Sequence, residues 1–297
     1  MLAKGKSVLT LFLYLFLAST AQASTFHVRL HDDLGSLDWN HGEVNSEVVY
    51  QLMEGLFRSD AKGLPQPALA KSFQWNQDKT RMKMDLRFSR WSDGKRVCAQ
   101  DFVDSWNRLR SAGFASPYAH YAAFLASFEA KGCERLEVRF QRPSPEAPSV
   151  FAHFVFFPIR LDNLKQNPKA FSDGEGLLVN GPFLVKEWRK NTSLALERNP
   201  HYQGKKPRLE RVEFLFIAED STAKAMFDRG ELDWMKEVPL LLRTPALEQS
   251  ADFRLFPSLI VYYFGLNARG APELEDPGIR KLLSESDRKS TRLNSSH

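Results

Sequence analysis

The residues able to do chemistry are few and scattered. His27 and His31 stand four apart, the spacing of a metal pair on one helix face. Yet Phe26, Val28 and Leu30 alternate with His27, Arg29 and His31, the period of a strand, on which both imidazoles simply face solvent. No cysteine or carboxylate lies at ligand spacing from them. There is no Gly-x-Ser-x-Gly nucleophile turn, no His-Glu-x-x-His and no phosphate loop ending in Gly-Lys-Ser. Gly174-Glu175-Gly176 lacks the following helix that phosphate binding requires, and Asn191-Thr192-Ser193 matches a glycosylation string by chance. An exported hydrolase is therefore disfavoured, and no cofactor and no metal are expected. The 23 phenylalanines and 6 tryptophans instead provide surface for a core and a cleft. Binding is the chemistry this composition suits.

The elements that must shape such a cleft centre on one stretch. Met82, Met84, Leu86 and Phe88 alternate with Lys83, Asp85 and Arg87, which predicts a half-buried strand. Asp93-Gly94 supplies a turn, and Phe102, Val103, Trp106 and Leu109 recur at helical spacing. Upstream, Val48, Val49, Leu52 and Leu56 predict a helix that Gly55 closes as a C-cap. Downstream, Leu136, Val138 and Phe140 predict a further strand, ended by Pro143, Pro145 and Pro148. Strands are predicted over Phe183–Trp188, Leu194–Leu196, Val212–Phe216 and 231–234, with a helix over Ser221–Arg229 closed at Gly230. Strand, helix and strand in that order suit an α/β lobe with helices covering a mixed sheet.

The N-terminus carries the pattern of a secretory signal. Lys4 and Lys6 precede an apolar run from Val8 to Leu17, broken only by Thr10, and Ala21-Gln22-Ala23 offers small residues for cleavage. The run is shorter than the roughly 20 apolar residues a membrane span needs. Ser24 rather than a cysteine stands directly after the cleavage site, so a soluble periplasmic protein without a lipid anchor is expected. The last eleven residues, Asp287 to His297, show no periodicity and resemble one reading frame of a common sequencing adapter. The formal charge of +5 includes two charges from Lys4 and Lys6 and a net two from this tail, leaving +1 for residues 24–286. A sequence pI of 9.1 therefore signals neither a nucleic-acid nor a membrane surface. Cys98 and Cys133 permit one disulfide in an oxidising compartment, or remain two buried thiols.

Several of these segments resemble the bacterial family 5 solute-binding proteins. Trp91-Ser92-Asp93-Gly94, followed by Asp101-Phe102 and Trp106, resembles the family signature, with Cys98 where a capping threonine is usual. Glu54-Gly55-Leu56, Asn180-Gly181-Pro182-Phe183 and Arg198-Asn199-Pro200-His201-Tyr202 resemble three more family strings. Ser116-Pro117-Tyr118 resembles a segment of the oligopeptide-binding members; read from the residues alone, it is equally an aromatic helix start packed into a core. The resemblance implies an α/β, two-lobe periplasmic binding protein of the large peptide-binding type. Residues 24–44 and 172–257 would form the first lobe, 45–171 a small extra domain, and 258–286 the start of a second lobe that is mostly missing.

The same resemblance implies a substrate-binding component of an ABC importer, a monomer that captures oligopeptides and delivers them to a permease at the inner membrane. Its ligand-binding residues would be Gly42, Glu43, Val44 and Asn45 at a strand edge, Tyr118 and Tyr121, and Tyr262, Tyr263 and Asn267 in a linker. Gly265 stands where the family has a linker glutamate, and the carboxylate that pairs with the ligand's amino terminus belongs to the second lobe. Alternatives in the same family are binders of dipeptides, murein peptides, nickel complexes or haem. A sensor domain that hands no solute to a transporter is a third class. The signal pattern makes the first testable prediction: N-terminal sequencing of the exported protein begins at Ser24, and a product retaining Met1 in the cytoplasm contradicts it.

Overall fold

The computed structural model describes residues 25–42, 44–256 and 265–294, the last eight as backbone alone. Two compact units divide at Leu242 and Arg243. The first unit contains β1 (Thr25–Leu30), α1 (Ser46–Leu52), β2 (Phe57–Ser59), β3 (Pro65–Pro67), β4 (Ala70–Trp75), β5 (Arg81–Leu86) and α2 (Ala99–Arg110). It continues with β6 (Leu125–Lys131), β7 (Arg135–Phe140), α3 (Ala147–Phe151), α4 (Leu161–Gln166), α5 (Ala170–Asp173), β8 (Phe183–Arg189), β9 (Ser193–Arg198), β10 (Arg211–Phe216) and α6 (Asp220–Asp228). The second unit holds α7 (Pro245–Glu248) and α8 (Pro277–Asn294). Among the described residues no helix is long and apolar enough to cross a membrane. The backbone of α8 stays helical to Asn294, where the aperiodic tail predicted no regular element.

One sheet has the order β1-β10-β9-β8, with β1 parallel to β10 and the other pairs antiparallel. The strand predicted over 231–234 is a single bridge, Trp234 to Val28, beside the Asp233 carboxylate that accepts the His27 N–H at 2.7 Å. A second sheet, β4-β5-β7-β6, is antiparallel throughout. Its inner face is Met82, Met84 and Leu86 against Leu136, Val138 and Phe140, the alternation read from the sequence. Phe88 lies beyond β5, 46% exposed, under the guanidinium groups of Arg90 and Arg96. The outer strands β4 and β6 were not predicted. A register shift interrupts each, between Ala70 and Ser72 and between Leu125 and Ser127, and a bulge destroys the period of two.

The Trp91-to-Trp106 stretch turns out to be structural. Trp91 is fully buried, and its indole N–H donates at 3.1 Å to Asp101, whose carboxylate also accepts the Cys98 N–H at 2.8 Å. Asp101 therefore supplies from N3 the carboxylate half of a capping box, answering the backbone N–H of the N-cap residue Cys98. Burial lifts the Asp101 carboxyl above the usual range. Gly94, at φ +83°, turns the chain, and Ser92 exchanges hydrogen bonds with the backbone of Val179. Phe102 and Trp106 are buried, Trp106 stacked on Phe151 at 5.1 Å. Cys98 and Cys133 are joined by a disulfide across 35 positions, worth about 4 kcal/mol in the chain-entropy picture.

Helix α1 ends at Leu52, a turn earlier than its apolar pattern predicts, and Gly55 is not its C-cap. The cause is tertiary. Asn180, fully buried, accepts the Glu54 N–H at 2.9 Å and donates to the Glu54 carbonyl at 3.0 Å. The Gly181 N–H takes the Leu52 carbonyl at 2.8 Å. With its last carbonyls answered from elsewhere, the helix has no reason to continue. Gly55 is needed for space instead: a Cβ there would lie 2.3 Å from the Phe157 ring.

A Cβ on Gly181 would fall 2.5 Å from the Leu52 carbonyl carbon, which is backbone and cannot turn aside. Gly181→Ala is accordingly expected to destabilise the fold by about 2 kcal/mol or more, as overpacking does. Urea unfolding checks this, and an unchanged midpoint would show that the clasp does not constrain the fold.

Candidate ligand-binding site

The loop after β1 is built for rigidity. Leu37 and Trp39 point into the core, while the alternate residues Asp38 and Asn40 bind their neighbours. Arg108, on α2, donates to both Asp38 oxygens at 2.8 and 2.5 Å, and its guanidinium lies 3.8 Å above the Phe114 ring. Fully buried Asn40 donates to the Val155 carbonyl at 2.9 Å. Ser116 donates to the Asn40 carbonyl, and the Tyr118 hydroxyl donates to the Gly42 carbonyl at 2.7 Å. Ser116-Pro117-Tyr118 is thus the strap that fixes the loop at Gly42.

This geometry brings together Gly42, Val44, Asn45, Tyr118 and Tyr121. Gly42 is half-buried, with no room to spare beside Ser36. Asn45 is the N-cap of α1, its side-chain oxygen accepting the Glu47 and Val48 N–H groups at 2.9 and 3.2 Å, so that oxygen already has its partners. The Val44 N–H and C=O have no protein partner among the described residues. Tyr118 packs edge-on to Tyr121 at 6.3 Å, and Tyr121 is 39% exposed. Asn267, in the second unit, is exposed and accepts the Gly270 N–H at 3.2 Å in its own turn. Glu43, Tyr262 and Tyr263 lie outside the described residues. Asp38, Asn40 and Arg108 were not singled out from the sequence. Their signal was a polar residue on either side of Trp39, without anything to show which helix answers it.

Beside the loop, at the carboxyl end of β1, lies a cleft of about 270 Å³ bordered by His31, Asn45, Glu47, Lys236 and Glu237. Its walls are charged but compensated. Arg29 reaches Asp220 at 2.6 Å and the Ile217 and Ala218 carbonyls at 3.0 Å, and Lys236 reaches Glu47 at 2.7 Å. The Glu47 carboxylate raises the Lys236 pKa. A larger hollow of about 460 Å³ on the outer face of the second sheet is lined by Lys71, Asp85, Lys131 and Arg135. Asp85 and Arg135 pair there at 2.9 Å, so it is a solvated, charge-paired surface. Among the described residues no cluster of three metal-ligating side chains occurs.

The family model for bacterial extracellular solute-binding proteins, family 5 (middle), matches residues 65–284. The chain belongs to this family. It is 29% identical to the probable deoxycholate-binding periplasmic protein YgiS of Escherichia coli, over 89% of this chain and 53% of that one. It is also 29% identical to the oligopeptide-binding protein OppA of Bacillus subtilis, over 83% and 49%. Among solved structures, the E. coli murein tripeptide binding protein MppA superposes with a TM-score of 0.70 at 28% identity, covering 74% and 47%. Haemophilus influenzae OppA in complex with RPPGFSPFR superposes at 0.68 and 28%, covering 72% and 46%. The fold is therefore that of the two-lobe periplasmic peptide-binding proteins, and the chain spans about half the length of the relatives it matches.

Removing the Tyr118 hydroxyl isolates the strap. Tyr118→Phe is expected to cost about 1 kcal/mol of stability, the worth of a neutral hydrogen bond. It should also quicken amide hydrogen exchange across residues 42–45. Unchanged exchange there would mean that the loop is held without the strap.

Proposed function

We propose that this chain is the first-lobe part of a substrate-binding component of an ABC importer, one that captures oligopeptides in the periplasm and delivers them to a permease. The observation that carries the reading is Val44. The residue is half-buried and its backbone groups are unanswered by the described residues, in a loop clamped at Gly42 by Tyr118. An extended peptide laid along residues 42–45 would answer them as an added strand. Main-chain pairing is indifferent to side chains, which suits capture of many sequences, and water fills whatever space a given side chain leaves. Nothing in this role requires catalysis, and we propose a non-enzymatic, monomeric protein without nucleic-acid partners.

The partition into a first lobe at 24–44 and 172–257 and an extra domain at 45–171 belongs to the same proposal, with 258–286 leading into a second lobe. It is supported by the first sheet drawing only on β1 and β8–β10, and the second only on β4–β7. Residues 287–297 are proposed to derive from an adapter. The similarity to a protein named as a probable deoxycholate binder supports a second reading, in which the solute is not a peptide.

Calorimetry separates these. The protein expressed from its native locus is titrated with tri- to pentapeptides and with deoxycholate, and so is the chain of residues 24–297. Peptide binding is expected in the native-locus protein and at least tenfold weaker binding in the 24–297 chain, because one face of a cleft desolvates a ligand incompletely. Deoxycholate binding with no peptide binding would overturn the peptide reading. Equal affinities would overturn the two-lobe mechanism.

A further inference from the structure

Outside the loop and its cleft, the least explained surface of the first unit is aromatic. Tyr121 stacks on His153 with ring centroids 5.0 Å apart and planes at 17°, and His153 lies 4.3 Å from Phe154. Tyr50, on α1, meets Phe154 at 6.3 Å and Phe157 at 5.6 Å. Tyr118 touches this row at two points, 6.3 Å from Tyr121 and 6.0 Å from Phe154. The row is therefore continuous, through Tyr118, with the loop at Gly42. Its two outer rings are open: Tyr50 is 42% exposed and Tyr121 39%.

The polar rims of these rings are only partly used. The Tyr50 hydroxyl has the Ala152 carbonyl at 3.5 Å, and Tyr118 has Gly42. His153 accepts the Val155 N–H through Nδ1 at 3.4 Å, which places its proton on Nε2. Neither the Tyr121 hydroxyl nor that Nε2–H has a protein partner among the described residues. Burial lowers the His153 pKa, so the ring is neutral and stacks as an aromatic rather than as a cation.

We propose that Tyr121 and His153 form a side-chain subsite that selects an aromatic residue of the ligand. The inference rests on the peptide reading above and names where that peptide's specificity would come from. A strand paired along 42–45 sends alternate side chains to the same side about 7 Å apart, and the row of rings begins one ring away from that edge. Ring faces and edges complement a phenyl or indole group, and two free donors at the rim suit a phenol oxygen or a ligand carbonyl.

The test compares paired peptides on the protein expressed from its native locus: Ala-Phe-Ala-Ala and Ala-Trp-Ala-Ala against Ala-Leu-Ala-Ala. Stacking predicts a preference of roughly three- to tenfold for the aromatic peptides. Tyr121→Ala and His153→Ala should bring that ratio close to one, whereas His153→Phe, which keeps a ring, should retain the preference for the phenylalanine peptide. The His153 ring signals in NMR should move with the aromatic peptides and not with the leucine peptide. A ratio near one in the unaltered protein overturns the subsite while the peptide reading stands. A ratio that survives Tyr121→Ala and His153→Ala assigns the preference to other residues and overturns it too. Failure of every peptide to bind overturns both.

Discussion

The end of α1 is the constraint on which the rest of the first unit depends. A helix that stops inside a protein leaves backbone groups that must be answered where water cannot reach them. Here Asn180 answers Glu54 through both of its amide atoms, and Gly181 answers Leu52. The residues that do so precede β8, so the helix leading out of the loop after β1 is bolted to the first sheet. Asn199 extends the bolt by donating to the Gly181 carbonyl at 2.9 Å. Just beyond, Arg87 donates to the buried Glu54 carboxylate. Burial lifts the Glu54 carboxyl above its usual range even so, and burial with the neighbouring Glu54 pushes Tyr202 to about 12. Three separated strings, Glu54-Gly55-Leu56, Asn180-Gly181 and Asn199 to Tyr202, thus meet in one place.

That bolt explains why the signature residues carry no ligand chemistry. Trp91, Asp101 and Ser92 hold the turn before α2 against Val179, adjacent to Asn180. Arg160 ties the same turn to a neighbouring segment, reaching Asp93 at 3.3 Å and Asp162 at 2.6 Å, and it holds Asp162 down at about 2. Helix α2 is then set so that Arg108, two residues beyond Trp106, meets Asp38. The signature positions the helix, the helix positions the loop, and the loop presents Val44. Rigidity at the far end of this chain of contacts is what preorganises a strand edge, and preorganisation lowers the entropy lost when a ligand binds.

In the proposed role, capture of peptides by such an edge would divide the work. Backbone groups would provide affinity that any sequence can use, and the neighbouring rings whatever discrimination exists. In the cleft beside the loop Arg29 pairs with Asp220 and Lys236 with Glu47, and Glu237 adds a further carboxylate to its border.

Much of the fold was legible in the sequence because hydrophobic period and turn chemistry are local. β1, β5, β7 and β10 showed themselves by alternation, β8 and β9 as strands after the Asn180-Gly181 turn, α2 by its apolar face, and α6 by Gly230 at its end. β4 and β6 were hidden by bulges that break the period, and 231–234 looked like a strand but forms a single bridge. The family signature was readable as a string, yet its role was not: that Trp91 and Asp101 bind each other is a fact of three dimensions. The early end of α1 and the true use of Gly55 were decided by Asn180 and Phe157, more than 100 residues away. So was the site. Tyr118 could be picked out beside Pro117, but Arg108, Asp38 and Asn40 could not, because a buried polar residue is defined by its partner and the partner is set by packing. Local sequence determined which elements form; the contacts between distant segments decided where they stop and what they hold.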